Sequence, residues 1–296
     1  MAKKNLMWIK RTLKWFGFAL LGIAGFAVVA VLLIYIIMGR DLANTYAIAG
    51  ETIAVPMDAA SIEEGQRQAQ LRGCAGGCHG ETTEGLVLIE LFDGTRVVAP
   101  DLARYAARYS TIDLERAIRH GVKPDQSSVL RIMPSDMFSR LSDEDLGLII
   151  AYLRSQEEGE QLLPESRYGP VARVMGFFFK REIGTLLAAD VIDHEHPTPI
   201  KSADEDAFGR YLAQTVCTEC HGSDLRGAPD GSAPSLIVTM GYPLVDFERL
   251  LREGIPLGDR ELGLMAGVSR ARFVRFTDEE ITALHNYLRA EETWFE

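Results

Sequence analysis

Cys217-Thr218-Glu219-Cys220-His221 sets two thiols three positions apart, with an imidazole directly behind them. That spacing suits covalent attachment of haem, in which each sulfur adds across one porphyrin vinyl group and the histidine reaches the iron from the same turn. A redox disulfide would have no use for the adjoining His221, and a zinc site would need its other cysteine pair. An earlier copy, Cys74-Ala75-Gly76-Gly77-Cys78-His79, is one residue longer. The added residue has to bulge between the two thioether positions, and Gly76 and Gly77 supply the backbone freedom for it. A Cys74–Cys78 disulfide in an exported protein is the competing reading of this second copy.

The four cysteines all fall in these two stretches, so none remains for a structural disulfide elsewhere. A length of 296 residues, 47% hydrophobic and 25% charged, accommodates about two ordinary domains, one for each motif. Net charge is −11; removing the five basic residues of positions 1–38, where no acidic residue occurs, leaves −16 for the remainder. An acidic body repels nucleic-acid phosphates and favours partners with a basic docking face.

Lys3, Lys4, Lys10, Arg11 and Lys14 precede an uncharged stretch from Trp15 to Met38. At about 1.5 Å per residue this run is long enough for a hydrocarbon core of about 30 Å, and it exceeds the apolar region of a cleaved signal peptide. Residues 1–40 therefore read as a basic flank and an uncleaved transmembrane anchor, with the flank in the cytoplasm and the rest of the chain across the membrane. A helix is expected from Asp58 to Gln70, capped by Asp58 or Ser61, and others near Ile112–His120 and Ser142–Arg154. Between them, Gly85–Val98 reads as two β-rich runs turning at Asp93-Gly94, a hairpin that the second half lacks. Residues 158–202 are punctuated by prolines but too apolar for a free linker. They read as a strap packed over the domains, or alternatively as an interfacial segment touching lipid. His194 and His196, in a His-x-His pair near its end, read as solvated because no third ligand adjoins them.

The two halves also match outside the motifs. Ala99-Pro100-Asp101-Leu102 answers Ala233-Pro234-Ser235-Leu236, and Leu114–Val122 answers Phe247–Ile255. Leu141-Ser-Asp-Glu-Asp-Leu with Tyr152-Leu-Arg answers Phe276-Thr-Asp-Glu-Glu-Ile with Tyr287-Leu-Arg, in the same order. Each half thus reads as an opening helix, a motif, a proline loop, a middle helix, a methionine loop and a closing helix.

In this order and spacing the chain resembles the class I c-type cytochromes twice over, across residues 58–157 and 203–296. The resemblance implies an all-α fold of two tandem cytochrome c domains behind one transmembrane helix, with a small hairpin inserted in the first domain. It implies two covalently attached haem c groups, bound through Cys74, Cys78, Cys217 and Cys220. The axial ligands would be His79 with Met133, and His221 with Met265, while the Pro100 and Pro234 carbonyls hold the histidines. Met133 lies eight residues before Leu141 and is followed by Pro134; Met265 lies eleven before Phe276. Met137, four residues before Leu141, leaves little loop to cross a haem face, and Met240 precedes the middle helix of its half. The resemblance also puts the attached haems on the periplasmic side of the cytoplasmic membrane.

Six-coordinate His/Met iron has no open face for a substrate, so the expected function is carriage of single electrons. The reading is a membrane-anchored dihaem cytochrome between a quinol-oxidising complex or dehydrogenase and a terminal acceptor, with redox proteins and the membrane as partners and no nucleic acid or small-molecule substrate. The alternatives are a cytochrome subunit of a larger oxidoreductase complex, and a dihaem peroxidase-type enzyme, which would need one open iron face.

Overall fold

The computed structural model describes residues 2–194, 201, 204–228, 231–258, 260, 262–290 and 292–295. The chain begins with α1 (Ala2–Leu42), whose apolar side chains from Trp15 to Ile37 are largely exposed. Among the described residues it is the helix long and apolar enough to cross a membrane.

The first helical unit contains α2 (Ala59–Leu71), the antiparallel hairpin β1 (Leu86–Glu90) and β2 (Arg96–Ala99), α3 (Leu102–Arg108), α4 (Thr111–Arg119), α5 (Ser135–Phe138) and α6 (Asp143–Ser155). After it comes α7 (Pro170–Ile183). The second unit runs from α8 (Glu205–Leu212) through a π-helical turn at Ala213–Cys217 into α9 (Thr218–His221). It continues with a 3₁₀ segment (Leu236–Gly241), α10 (Leu244–Glu253), α11 (Leu264–Ala271), α12 (Asp278–Arg289) and α13 (Glu292–Phe295).

The expected helices begin where short polar side chains can take up free backbone N–H groups. Asp58 accepts from Ser61 N, Ser142 from Asp145 N, and Thr277 forms a reciprocal capping box with Glu280. In each unit the opening helix crosses the closing one at a glycine. A Cβ on Gly65 would stand 2.0 Å from Leu148 O, and one on Gly209 would stand 2.2 Å from Ala283 O. Only hydrogen at these two positions lets the backbones meet and the cores close.

The repeated Glu-Arg-x-x-Arg pattern has a structural reason. Arg119 donates to Leu141 O and Asp143 at 2.8 and 2.7 Å, tying the middle helix to the start of α6. Arg252 contacts Phe276 O and Asp278 in the same way at the start of α12.

Helices α3, α5 and α11 were not expected. Asp101, just past Pro100, accepts from Arg104 N and starts α3; α5 follows Met133-Pro134; and α11 replaces the anticipated methionine loop of the second half. The first two are four to seven residues long, too short for an apolar period to show in the sequence.

The strap packs on both the first unit and α1. Arg167 pairs with Arg96 on β2, and Leu187 pairs with Leu130, so the strap's ends pack on the first unit. Its helix α7, however, packs on α1, with Gly176 facing Met38 and Lys180 bonding Asp41 at 2.6 Å. His194 is not solvated: the Ala188 side chain packs on Gly121, which brings the histidine half-buried against His120, with the two Nδ1 atoms 2.9 Å apart. Its Nε2 lies 3.0 Å from Ala189 O and donates to it. His196 lies outside the described residues.

Candidate haem sites

The end of α2 carries the chain into the first motif. The added residue there is absorbed by Gly76 at φ +68°, a left-handed conformation that a residue with a side chain would adopt only with strain. Gly77 packs where a Cβ would be 2.6 Å from Gly73 O. In the second unit the π-helical turn does the corresponding work and delivers Cys217 directly into α9.

His79 Nδ1 donates to Pro100 O at 2.8 Å, and His221 Nδ1 donates to Pro234 O at 2.7 Å. These bonds select the tautomer with a free lone pair on Nε2, which has no protein partner among the described residues. Burial lowers both imidazole pKa values, against the opposing pull of the proline carbonyls, so each ring stays neutral and ready to ligate. Cys74 and Cys217 are pushed up to about 11 and about 12 by burial; Cys78 and Cys220 are raised less, while their residues remain exposed. All four are free thiols. A neutral imidazole with a bare Nε2, next to two free sulfurs, is the donor set that a covalently bound haem requires, so the residues fit the group.

Met133 and Cys74 border the same apolar cluster in the first unit, and Met265 and Cys217 border the one in the second. Met137 lies inside the first cluster, 2% exposed, whereas Met133 sits half-buried at its edge. Met240 also borders the second cluster, from the 3₁₀ segment packed on α12. Met265 stands in the first turn of α11.

The two units meet across a quasi-twofold interface. Two residues beyond Gly65, Arg67 makes paired bonds of 2.7 and 2.8 Å to Glu280, the third residue of α12. Two residues beyond Gly209, Tyr211 donates at 2.7 Å to Asp145, the third residue of α6. Leu71, fully buried, belongs to the core cluster of the second unit. Arg72 is sealed inside the interface, contacting Asp145 at 3.2 Å and Thr215 at 3.3 Å, and Lys201 reaches Asp145 from the strap at 3.2 Å. Burial pushes the Asp145 carboxyl up, but Arg72, Lys201 and Tyr211 together outweigh it and hold the pKa below the usual aspartate range.

This interface brings the two motifs side by side. Arg272, between α11 and α12, donates to Leu71 O at 3.4 Å and to Glu219 at 3.0 Å, and its guanidinium lies against Gly73. Its charge pulls the pKa of all four cysteines down against burial, and its Nη2 is buried without a partner among the described residues. One cation thus serves both attachment sites. Neither Arg272 nor Glu219 was singled out from the sequence, where one is an ordinary surface-type arginine and the other a spacer position inside the motif. Asp145 had a faint signal, since the repeat aligns it with Glu280.

Two repeated helical units, each presenting two cysteines and a histidine backed by a proline carbonyl, define a tandem cytochrome c. The cytochrome c family profile matches residues 62–157 and 207–291, and the chain belongs to that family. It carries covalently bound haem c and takes part in electron transport. Similar proteins include the fructose dehydrogenase cytochrome subunit of Gluconobacter japonicus, 25% identical over 65% of this chain and 43% of that protein. The alcohol dehydrogenase (quinone) cytochrome c subunit of Gluconacetobacter polyoxogenes is 31% identical over 36% of this chain and 24% of its own length. A nicotinate dehydrogenase component of Pseudomonas putida is 28% identical over 69% of this chain and 18% of its own. The chain therefore spans less than half the length of each of these relatives.

Proposed function

We propose that the chain is the electron-carrying cytochrome subunit of a membrane-bound dehydrogenase, with one covalent haem in each unit. In this reading α1 is the anchor and the haem units stand on the periplasmic side. The observation that carries it is the quasi-twofold interface, which sets two attachment motifs beside one shared arginine so that an electron entering one unit is delivered next to the other. Bound haem supplies a one-electron iron couple. The chain's own residues would hold it: Pro100 and Pro234 orient His79 and His221, Met133 and Met265 would supply the thioether ligands, and the two apolar clusters exclude water. A haem held in this way would offer no open position to a substrate, so oxidation of the small-molecule substrate belongs to a partner subunit. The relatives, each named as part of a dehydrogenase, support this assignment over a free-standing carrier. The net charge of −11 favours the latter as a second reading, between a quinol-oxidising complex and a basic redox protein.

Purification from membranes in mild detergent tests the subunit reading. A dehydrogenase catalytic subunit is expected to copurify, and the denatured chain is expected to carry two haem masses. A chain that elutes alone and reduces a soluble basic acceptor supports the free-standing carrier instead. One haem, with Cys74 and Cys78 oxidised to each other, defeats the dihaem assignment.

Arg272→Gln is expected to lower both haem potentials together, because loss of a nearby cation favours the oxidised iron at each site. The expected size is on the order of tenfold in each equilibrium, about 59 mV for one electron. A redox titration in which only one haem moves would show that Arg272 is not shared.

A further inference from the structure

The hairpin that interrupts the first unit and the helix that interrupts the strap are built onto each other. Asp93, at the hairpin turn, accepts from Val171 N at 2.7 Å, and Thr95 accepts from Gly169 N at 3.1 Å, so the turn caps the start of α7. The backbones of Arg96 and Arg167 exchange two bonds of 2.7 Å just before it. At its other side α7 grips α1. The Arg173 guanidinium lies 4.2 Å from the Tyr35 ring centroid and bonds Tyr35 O at 3.3 Å, while Lys180 holds Asp41. Gly176 faces Met38, which is 1% exposed.

These contacts fall between Tyr35 and Asp41, a rise of about 9 Å that spans the end of the apolar run. The face of α7 turned away from α1 carries Met175, Phe178 and Phe179, exposed by 48, 56 and 50%. They recur at helical spacing, and Ile36 and Ile37 of α1 are exposed as well. Phe92, 94% exposed, stands at the hairpin tip next to the capping Asp93. Arg173 and Lys180 occupy the other face of α7 and are already paired.

We infer that α7 lies in the outer interface of the bilayer, with Met175, Phe178 and Phe179 among the lipids, and that the hairpin is the bracket that seats it there. This rests on the reading of α1 as a membrane anchor. The occupant is lipid because α7 packs on α1 at the end of the apolar run, the depth where the exposed face of an amphipathic helix settles about 5–10 Å into the headgroup and acyl boundary. The first unit is then held at a set angle to the membrane. Its approach segment is tied down as well: Tyr46 N donates to Gln126 O at 2.9 Å and Glu51 N to Glu115 at 2.9 Å, leaving no loose tether between α1 and the haem domain.

The test uses full-length haem-loaded protein in phosphatidylcholine–phosphatidylglycerol vesicles, with spin labels at Leu33→Cys in α1, Phe178→Cys in α7 and Val245→Cys on the second unit. Oxygen partitions into lipid and a charged nickel chelate into water, so their relative broadening reports the surroundings. The labels at 33 and 178 are expected to favour oxygen, and the label at 245 the chelate. If 33 favours oxygen but 178 favours the chelate, α7 faces water and the inference fails while the anchor stands. If 178 is shielded from both, a protein surface covers it, and the lipid assignment fails too. A label at 33 that favours the chelate removes the anchor and the inference with it. Phe179→Cys repeats the reading one residue on, which guards against a local disturbance at 178.

Discussion

Replacing Met265 by histidine is expected to lower the potential of the second haem by a sizeable fraction of the roughly 0.8 V that axial ligands command, with little change in the first. The thioether favours reduced iron and the imidazole favours oxidised iron, so the sign is downward. Met133→His should do the same to the first haem. Met137, sealed in the core at 2% exposure, should give a folding defect when enlarged rather than a ligand exchange. Spectroelectrochemistry of each variant, with the sulfur-to-iron band in the near infrared as a second readout, checks the assignment. A band of undiminished intensity in Met133→His, where one of its two contributions should disappear, or a weakened band in Met240→Leu, would mean that the wrong methionine has been chosen in that half.

The second large effect is on stability. Arg72→Ala leaves Asp145, about 1% exposed, without its buried guanidinium partner and with only the part-exposed Lys201, and breaking a buried pair in this way costs about 3–5 kcal/mol. For a protein of this size each kcal/mol lowers Tm by roughly 2–4 °C, so a drop of about 6–20 °C is expected in calorimetry of the holoprotein. Because Asp145 has a depressed pKa in the fold, its contribution is present above the unfolded aspartate value and is lost as pH falls through the folded one. Asp145→Asn should therefore flatten the acid limb of the stability curve below about pH 4. An unchanged acid limb would show that the interface does not depend on this charge.

These two effects separate what is local from what is not. Residues adjacent in the chain and bound by one chemical requirement, such as Cys217, Cys220 and His221, can be read without a fold, and the repeat extends that reading to the helices around them. The helix caps at Asp58, Ser142 and Thr277 are equally local, each acting within one turn. Short helices such as α3 and α5 escape because a single turn shows no period. Which methionine lies where is half-legible, since order along the chain narrows the choice but burial at the cluster edge depends on how the loops pack.

The sequence by itself determined the two attachment motifs, the internal repeat, the hairpin and the long apolar helix, because each is a pattern of neighbours or of fixed period. Only the tertiary structure decided that Arg272 and Glu219 stand between the motifs, that Arg72 is buried against Asp145, that His194 pairs with His120, and that α7 leans on α1. Those contacts join residues up to 201 positions apart in the chain, as between Leu71 and Arg272. A charged side chain carries no mark of which distant surface will cover it, so its partner emerges only when whole units pack and the cost of burying one charge selects the neighbour that offsets it.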